Sequence, residues 1–174
     1  MTSAAYILEN VTYTTLRNMA KNKELIAQKG DVCRPINEDN IITRDTVGDS
    51  DVDSKEGERN IPRPALIITD IGFKAPVSAG QNQHDDIVYR QLIQLVDDVP
   101  KLNTNRKKTY SFWISSIRKE LQANPYRAEL SPSVADIYLI HISGVTPANE
   151  RDYRVHAQMR AGLEITAYVR EPRE

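Results

Sequence analysis

From Tyr153 to Val169 the chain alternates without interruption. The odd positions Tyr153, Val155, Ala157, Met159, Ala161, Leu163, Ile165, Ala167 and Val169 are all apolar, whereas Arg154, His156, Gln158, Arg160, Glu164, Thr166 and Arg170 share the other side with Gly162 and Tyr168. A repeat of two is the signature of a strand with one wet face. At ~3.3 Å per residue such a segment runs about 55 Å, far beyond the usual strand of about 5–6 residues. The pattern therefore predicts one of two arrangements: a turn, with Gly162 as the break, or a projection that pairs with another chain. The second points to assembly.

Upstream, Ile7, Leu8, Val11, Leu16, Met19, Ala20 and Ile26 fall roughly on one helical face, with Ser3 as a cap and Gly30 as the stop. Four β-branched residues between Val11 and Thr15 weaken that helix and predict a kink or short extended piece. Residues 31–63 lose periodicity and collect Asp45, Asp49, Asp51, Asp53, Glu56 and Glu58, so residues 36–62 read as a long exposed loop. Ala65–Thr69 reads as a short buried strand, residues 72–86 as a loop and Ile87–Val96 as a second strand pairing with the first. Tyr110, Ile114, Ile117 and Leu121 recur at helical spacing up to Asn124-Pro125. Trp113 stands beside that stripe as a core anchor whose indole nitrogen needs an acceptor. Ile137–Ile142 reads as a third strand, joined through Ser143–Asn149 to the alternating segment. The order predicts an α+β fold: a mostly antiparallel four-stranded sheet flanked by helices, with an extended C-terminal β segment.

At 174 residues and 40% hydrophobic, the chain is expected to form a single domain around one core. Lys and Arg total 23 against 24 for Asp and Glu, so net charge gives no reason to expect tight wrapping of nucleic acid. Cys33 is the one cysteine, which excludes an internal disulfide and suits a reducing compartment. The first residues lack a basic, then apolar, leader, and no stretch approaches the ~18 apolar residues of a membrane span. The expectation is a soluble chain that is not exported and does not enter a membrane.

The chemistry-bearing motifs are nearly absent. The sequence contains no Gly-x-Gly-x-x-Gly, no phosphate-binding Gly-x-x-x-x-Gly-Lys-Ser/Thr, no His-Glu-x-x-His and no Gly-x-Ser-x-Gly. His84, His141 and His156 are far apart; His141 in an apolar strand reads as a hydrogen-bonded structural histidine, and His84 beside Asp85 and Asp86 reads as part of a solvated loop. Asp49-Ser50-Asp51-Val52-Asp53 has carboxylates at calcium-loop spacing, but Ser54 stands where the turn glycine is needed and Asn60 where a bidentate glutamate would close the site. No metal and no cofactor is expected.

Taken together, several elements resemble the tail terminator (tail completion) proteins of tailed bacteriophages. They are the N-terminal helix, the strand Arg63-Pro64-Ala65-Leu66-Ile67-Ile68, the long strand Ile87–Val96, the helix carrying Trp113-Ile114-Ser115-Ser116-Ile117-Arg118 and the closing pair from Ile137 to Arg170. The resemblance is one of pattern and covers most of the chain except the loop at 36–62. It implies a curved sheet flanked by helices and a structural virion protein without an active site, made in the host cytoplasm. Such a protein forms a homo-oligomeric ring, a hexamer in that family, at the head-proximal end of the tail. The ring stops polymerisation of the tail tube protein, meets the sheath if the tail contracts, joins a head-completion or neck protein, and lets packaged DNA pass through its lumen without specific binding. Another head-to-tail connector or neck component is the alternative, followed by a small cellular binding module or enzyme. A ring needs contacts between unlike patches of identical subunits. The candidate interface residues are Asp49, Asp51 and Asp53 in the acidic loop, which faces the lumen or a partner or is simply solvated. Phe73, Lys74 and His84 near the 72–86 loop and Arg154, Arg160 and Tyr168 in the C-terminal segment complete the set.

Overall fold

The alternation at the C-terminus becomes a strand of 15 residues, β5 (Gln158–Pro172), whose Ala161, Leu163, Ile165, Ala167 and Val169 are all buried. The computed structural model describes residues 4–27, 29–31, 33–44, 62–74, 84–98, 104–123, 136–146 and 158–172, so Tyr153–Ala157 fall outside the described residues. Contrary to expectation, the described length of β5 does not project. It pairs antiparallel along its whole length with the equally long β3 (His84–Asp98), and from Gly162 to Arg170 with β4 (Asp136–Thr146). An over-long strand is accommodated here by an over-long neighbour, which pairs one side of it along its whole length, while β4 pairs the other side from Gly162 to Arg170. Nor is Gly162 a break. It lies buried between Gln94 and Thr146, where a Cβ would come within 3.1 Å of the Ile93 carbonyl oxygen, so close backbone approach explains the glycine.

The remaining strands are β1 (Ile41–Arg44) and β2 (Ala65–Lys74). The sheet order is β1-β2-β3-β5-β4, with β1 parallel to β2 and every other pairing antiparallel. The fold is thus α+β, but the expected four strands are five, in an open mixed sheet. The strand missing from the sequence reading is β1, whose Ile41, Ile42 and Thr43 are β-branched yet stand at the rim of an aperiodic acidic stretch. Its start is held by Asn40, a buried residue whose side-chain amide donates to the Pro64 carbonyl at 2.9 Å. The Arg63-Pro64 bond is cis.

Two helices among the described residues pack on one face of this sheet: α1 (Ala4–Lys21) and α2 (Thr104–Ala123). Leu8, Leu16 and Met19 of α1 and Tyr110, Trp113, Ile117 and Leu121 of α2 join one core with Leu66, Ile68, Ile93, Leu95 and the odd positions of β5. The opposite face holds a smaller buried cluster of Ala65, Ile67 and Val96 among the described residues, and elsewhere mixes half-buried Val88, Leu92, Leu139 and Tyr168 with the ion pairs Arg90–Glu164 and Arg170–Asp86 across β3 and β5.

The β-branched run Val11–Thr15 does not interrupt α1, because Val11, Thr12 and Thr15 are buried and tertiary packing outweighs a weak propensity. The helix also stops well before Gly30. The Glu24 amide donates to Met19 O at 3.0 Å and the Lys23 amide to Ala20 O at 3.0 Å, with Lys23 at φ 59°, a Schellman closure built on lysine rather than glycine. Leu25 then enters the core, and the Ile26 carbonyl accepts the Trp113 indole N–H at 2.8 Å. That carbonyl is the acceptor the buried indole required, while Ile26 itself is exposed rather than on the helix's apolar face.

Candidate interaction surfaces

The structure gathers four of the nine candidate residues at one end of the sheet. Cross-strand register sets Phe73 opposite Tyr89, Lys74 opposite Val88, Val88 opposite Tyr168, and His84 opposite Pro172. Arg160 lies toward the other end, opposite Val96, and so is not part of this corner. Eight residues of strand separate it from Tyr168, roughly 26 Å. Asp49, Asp51, Asp53 and Arg154 fall outside the described residues. Two boundaries are corrected as well: Phe73 and Lys74 end a strand and His84 begins one, so none of the three belongs to a loop.

This corner is built by the mismatch between β1 and β2. β1 covers β2 only from Leu66 to Thr69, and a register shift between Asp70 and Gly72 follows at once. Gly72, at φ 102°, occupies the left-handed region that glycine adopts without strain, and its amide is held by Asp70 Oδ1 at 3.0 Å. Beyond that bulge β2 is exposed, and it presents Ile71 and Phe73 at 36% and 67% exposure. The Phe73 ring leans on Tyr89, centroids 5.8 Å apart, which props it against the helix-covered side of the sheet. On that same side stand Asp70, opposite Gln91, and Asp85, an odd position of β3 like Ile87 and Tyr89. Asp85 stands four residues along β3 from the Phe73–Tyr89 row, roughly 13 Å away.

A second surface lies at the opposite edge. Ser111, Ile114, Ser115 and Arg118 of α2 and Val145, Thr146 and Ala161 of the β4–β5 pair line a groove of about 170 Å³. Its floor is apolar, its rim carries hydroxyls and a guanidinium, and Val145 is 50% exposed at its mouth. The helix that forms its wall is strongly basic, with Arg106, Lys107, Lys108, Arg118 and Lys119 against Glu120.

Between the two surfaces, under the first turns of α2, polar groups are buried without forming a reactive site. Asp31 Oδ2 accepts from Cys33 Sγ and from Thr109 Oγ1, both at 2.8 Å, and the Tyr110 hydroxyl donates to Asp97 Oδ2 at 2.5 Å. Burial, reinforced by the Asp31 carboxylate, pushes the Cys33 thiol up to about 12. Burial likewise raises the Asp97 carboxyl, against the opposing hydrogen bond from Tyr110, and raises Tyr110 itself. A thiol protonated at neutral pH is a poor nucleophile, so the cluster is a packing device. Among the described residues no three His, Cys, Asp or Glu side chains gather as a metal ion would require. His141 is exposed on the face away from the helices, opposite Thr166, which overturns its reading as a hydrogen-bonded structural histidine. Among the described residues no helix is long and apolar enough to cross a membrane.

Sequence reasoning missed Ile71 and the whole α2–β4–β5 groove. Ile71 sits in a stretch taken to lead into a loop, and only its apolar character beside Phe73 could have signalled a patch. The groove joins residues more than twenty positions apart, and nothing in local periodicity announces that juxtaposition. In comparisons with known proteins, the chain matches no protein-family model and no curated protein.

Proposed function

We propose that this chain is a structural subunit of the tail terminator kind, forming a homo-oligomeric ring that ends the growing tube of a phage tail and joins it to the neck. What supports the reading above all is the order of elements. An N-terminal helix, an antiparallel pair of strands, a Trp-bearing helix and a closing β-hairpin follow one another, with both helices on one face of a single open sheet. The curvature such a subunit carries would come from the twist of the four long strands β2 to β5. Two apolar surfaces on opposite edges are what unlike-patch contacts around a ring require. The charge of α2 adds a constraint: a bore that passes DNA without holding it avoids stacked lysines and arginines, because each neutralised phosphate adds affinity. α2 would therefore sit at subunit boundaries or outward, and another surface would line the bore.

The test is negative-stain imaging of the purified chain alone and after addition of tail tubes still able to elongate. Rings at one tube end with elongation arrested are expected. Tubes that keep growing, with no density added at their ends, would remove the reading.

A further inference from the structure

The two carboxylates that end β3 are handled in opposite ways. Asp98 is exposed, its side chain at 62%, and takes the Arg63 guanidinium as its partner. Asp97 is 7% exposed on the helix-covered side, and the side chain that holds it is the Tyr110 phenol, whose hydroxyl donates to Oδ2 at 2.5 Å. Among the described residues no cation pairs with it. Exclusion of water disfavours a charge there, and one bond from a neutral phenol offsets only part of the lost hydration. We infer that Asp97 and Tyr110 form a proton-operated clasp, which holds the start of α2 on the sheet tightly while the Asp97 carboxyl is neutral and loosely once it ionises.

The clasp sits where its state reaches other elements. Tyr110 is fully buried, meets Trp113 edge to face with centroids 5.6 Å apart, and lies in hydrogen-bond contact with Cys33, which is itself bonded to Asp31. The adjacent Thr109 donates to that same Asp31 carboxylate. One hydroxyl thus joins β3, α2 and the stretch holding Asp31 and Cys33. With Asp97 neutral, its proton can donate to Tyr110 Oη and the phenol proton is released to Cys33 Sγ; with Asp97 ionised, the phenol proton is committed to Oδ2.

Burial is the leading influence on the carboxyl and raises it from its ordinary 3.8, against the Tyr110 hydrogen bond and the Arg106 guanidinium, while the Asp98 charge adds to the rise. Met159, opposite on β5, brings no charge. Because the folded-state value lies above the unfolded one, the stabilising contribution is complete below the unfolded value and is lost as pH rises through the folded one. The clasp is tight in acid.

Trp113 is the only tryptophan and packs against the clasp, so its emission reports on it. The test compares native-state emission and urea midpoints of wild type and Asp97→Asn from about pH 8 to about pH 4. The wild type is expected to show an emission change centred above pH 3.8 that the variant lacks, and its urea midpoint should rise relative to the variant's as pH falls through that point. Tyr110→Phe removes a bond that lowers the Asp97 value, so the emission change should move to higher pH. Should Asp97→Asn fail to fold, the carboxyl carbon resonance of Asp97 in the wild type, followed by NMR over the same range, gives the midpoint directly. A midpoint at or below 3.8 overturns the inference, as do urea profiles that run parallel or a Tyr110→Phe change that stays in place. None of these readouts involves tail tubes, so the outcome bears on the clasp alone.

Discussion

The two halves of β2 make opposite use of similar residues. Ala65 to Thr69 are all buried, lying between β1 and β3, and their apolar side chains belong to the fold. Asp70 to Lys74 continue the same strand past a bulge, and their apolar members, Ile71 and Phe73, are exposed. Both halves carry apolar side chains; what differs is whether other described residues cover them. Where they do not, an exposed aromatic ring is a candidate contact rather than a packing element.

Substitutions sort along that divide. The largest effect is expected in the covered half: Ile68→Asp, and Ile165→Asp on β5, each place a carboxylate at a position with no exposure and should cost more than about 4 kcal/mol. The outcome to look for is loss of soluble protein or of the cooperative thermal transition. Next come changes that disturb packing without adding charge. Gly162→Ala drives a methyl toward the Ile93 carbonyl and should cost about 1–3 kcal/mol in chemical denaturation. Trp113→Phe deprives the Ile26 carbonyl of its donor and should cost about 1–3 kcal/mol by the same measurement.

A pH dependence follows from Cys33. Its folded-state value is raised from 9.0 to about 12, so the neutral thiol is the form the fold favours. Below 9.0 both states are protonated and the contribution is intact; as pH climbs toward 12 the unfolded chain ionises first and stability is lost. Alkaline denaturation curves of wild type and Cys33→Ala should therefore converge with rising pH, and thiol reagents at neutral pH should label Cys33 only on unfolding. Prompt labelling of the native protein would contradict the burial.

The smallest effects belong to the exposed surfaces. Breaking the Arg90–Glu164 pair by Glu164→Ala should change stability by no more than about 1 kcal/mol, since solvent screens an ion pair with one partner half exposed. Phe73→Asp should leave the melting temperature where it is and alter only association.

Legibility in the sequence follows the same divide. β3, β4, β5 and α2 were readable because burial on one face imposes a period on each, and the covered half of β2 announced itself as an apolar run. β1 was hidden, since four residues at a sheet edge carry too little period to separate from the aperiodic stretch around them. The end of α1 was misplaced because Lys23 takes the left-handed position that glycine usually marks. Continuation of β2 beyond Thr69 was lost to Gly72, which reads as loop punctuation but shapes a bulge. Of the candidate interface, Phe73, Lys74, His84 and Tyr168 share one end of the sheet, with Phe73 on its helix-covered side and Tyr168 on the other. The α2–β4–β5 groove depends on where the end of β4 meets α2, a juxtaposition set by tertiary packing and written in no local pattern.

The most direct test of the account is the mass of the native protein by light scattering across a dilution series, with Phe73→Asp measured beside it. The account predicts an assembly that falls apart on dilution for the native chain, and a monomer throughout for the variant at an unchanged melting temperature. Superimposable mass curves for the two proteins would contradict it, because the exposed half of β2 would then have no part in assembly.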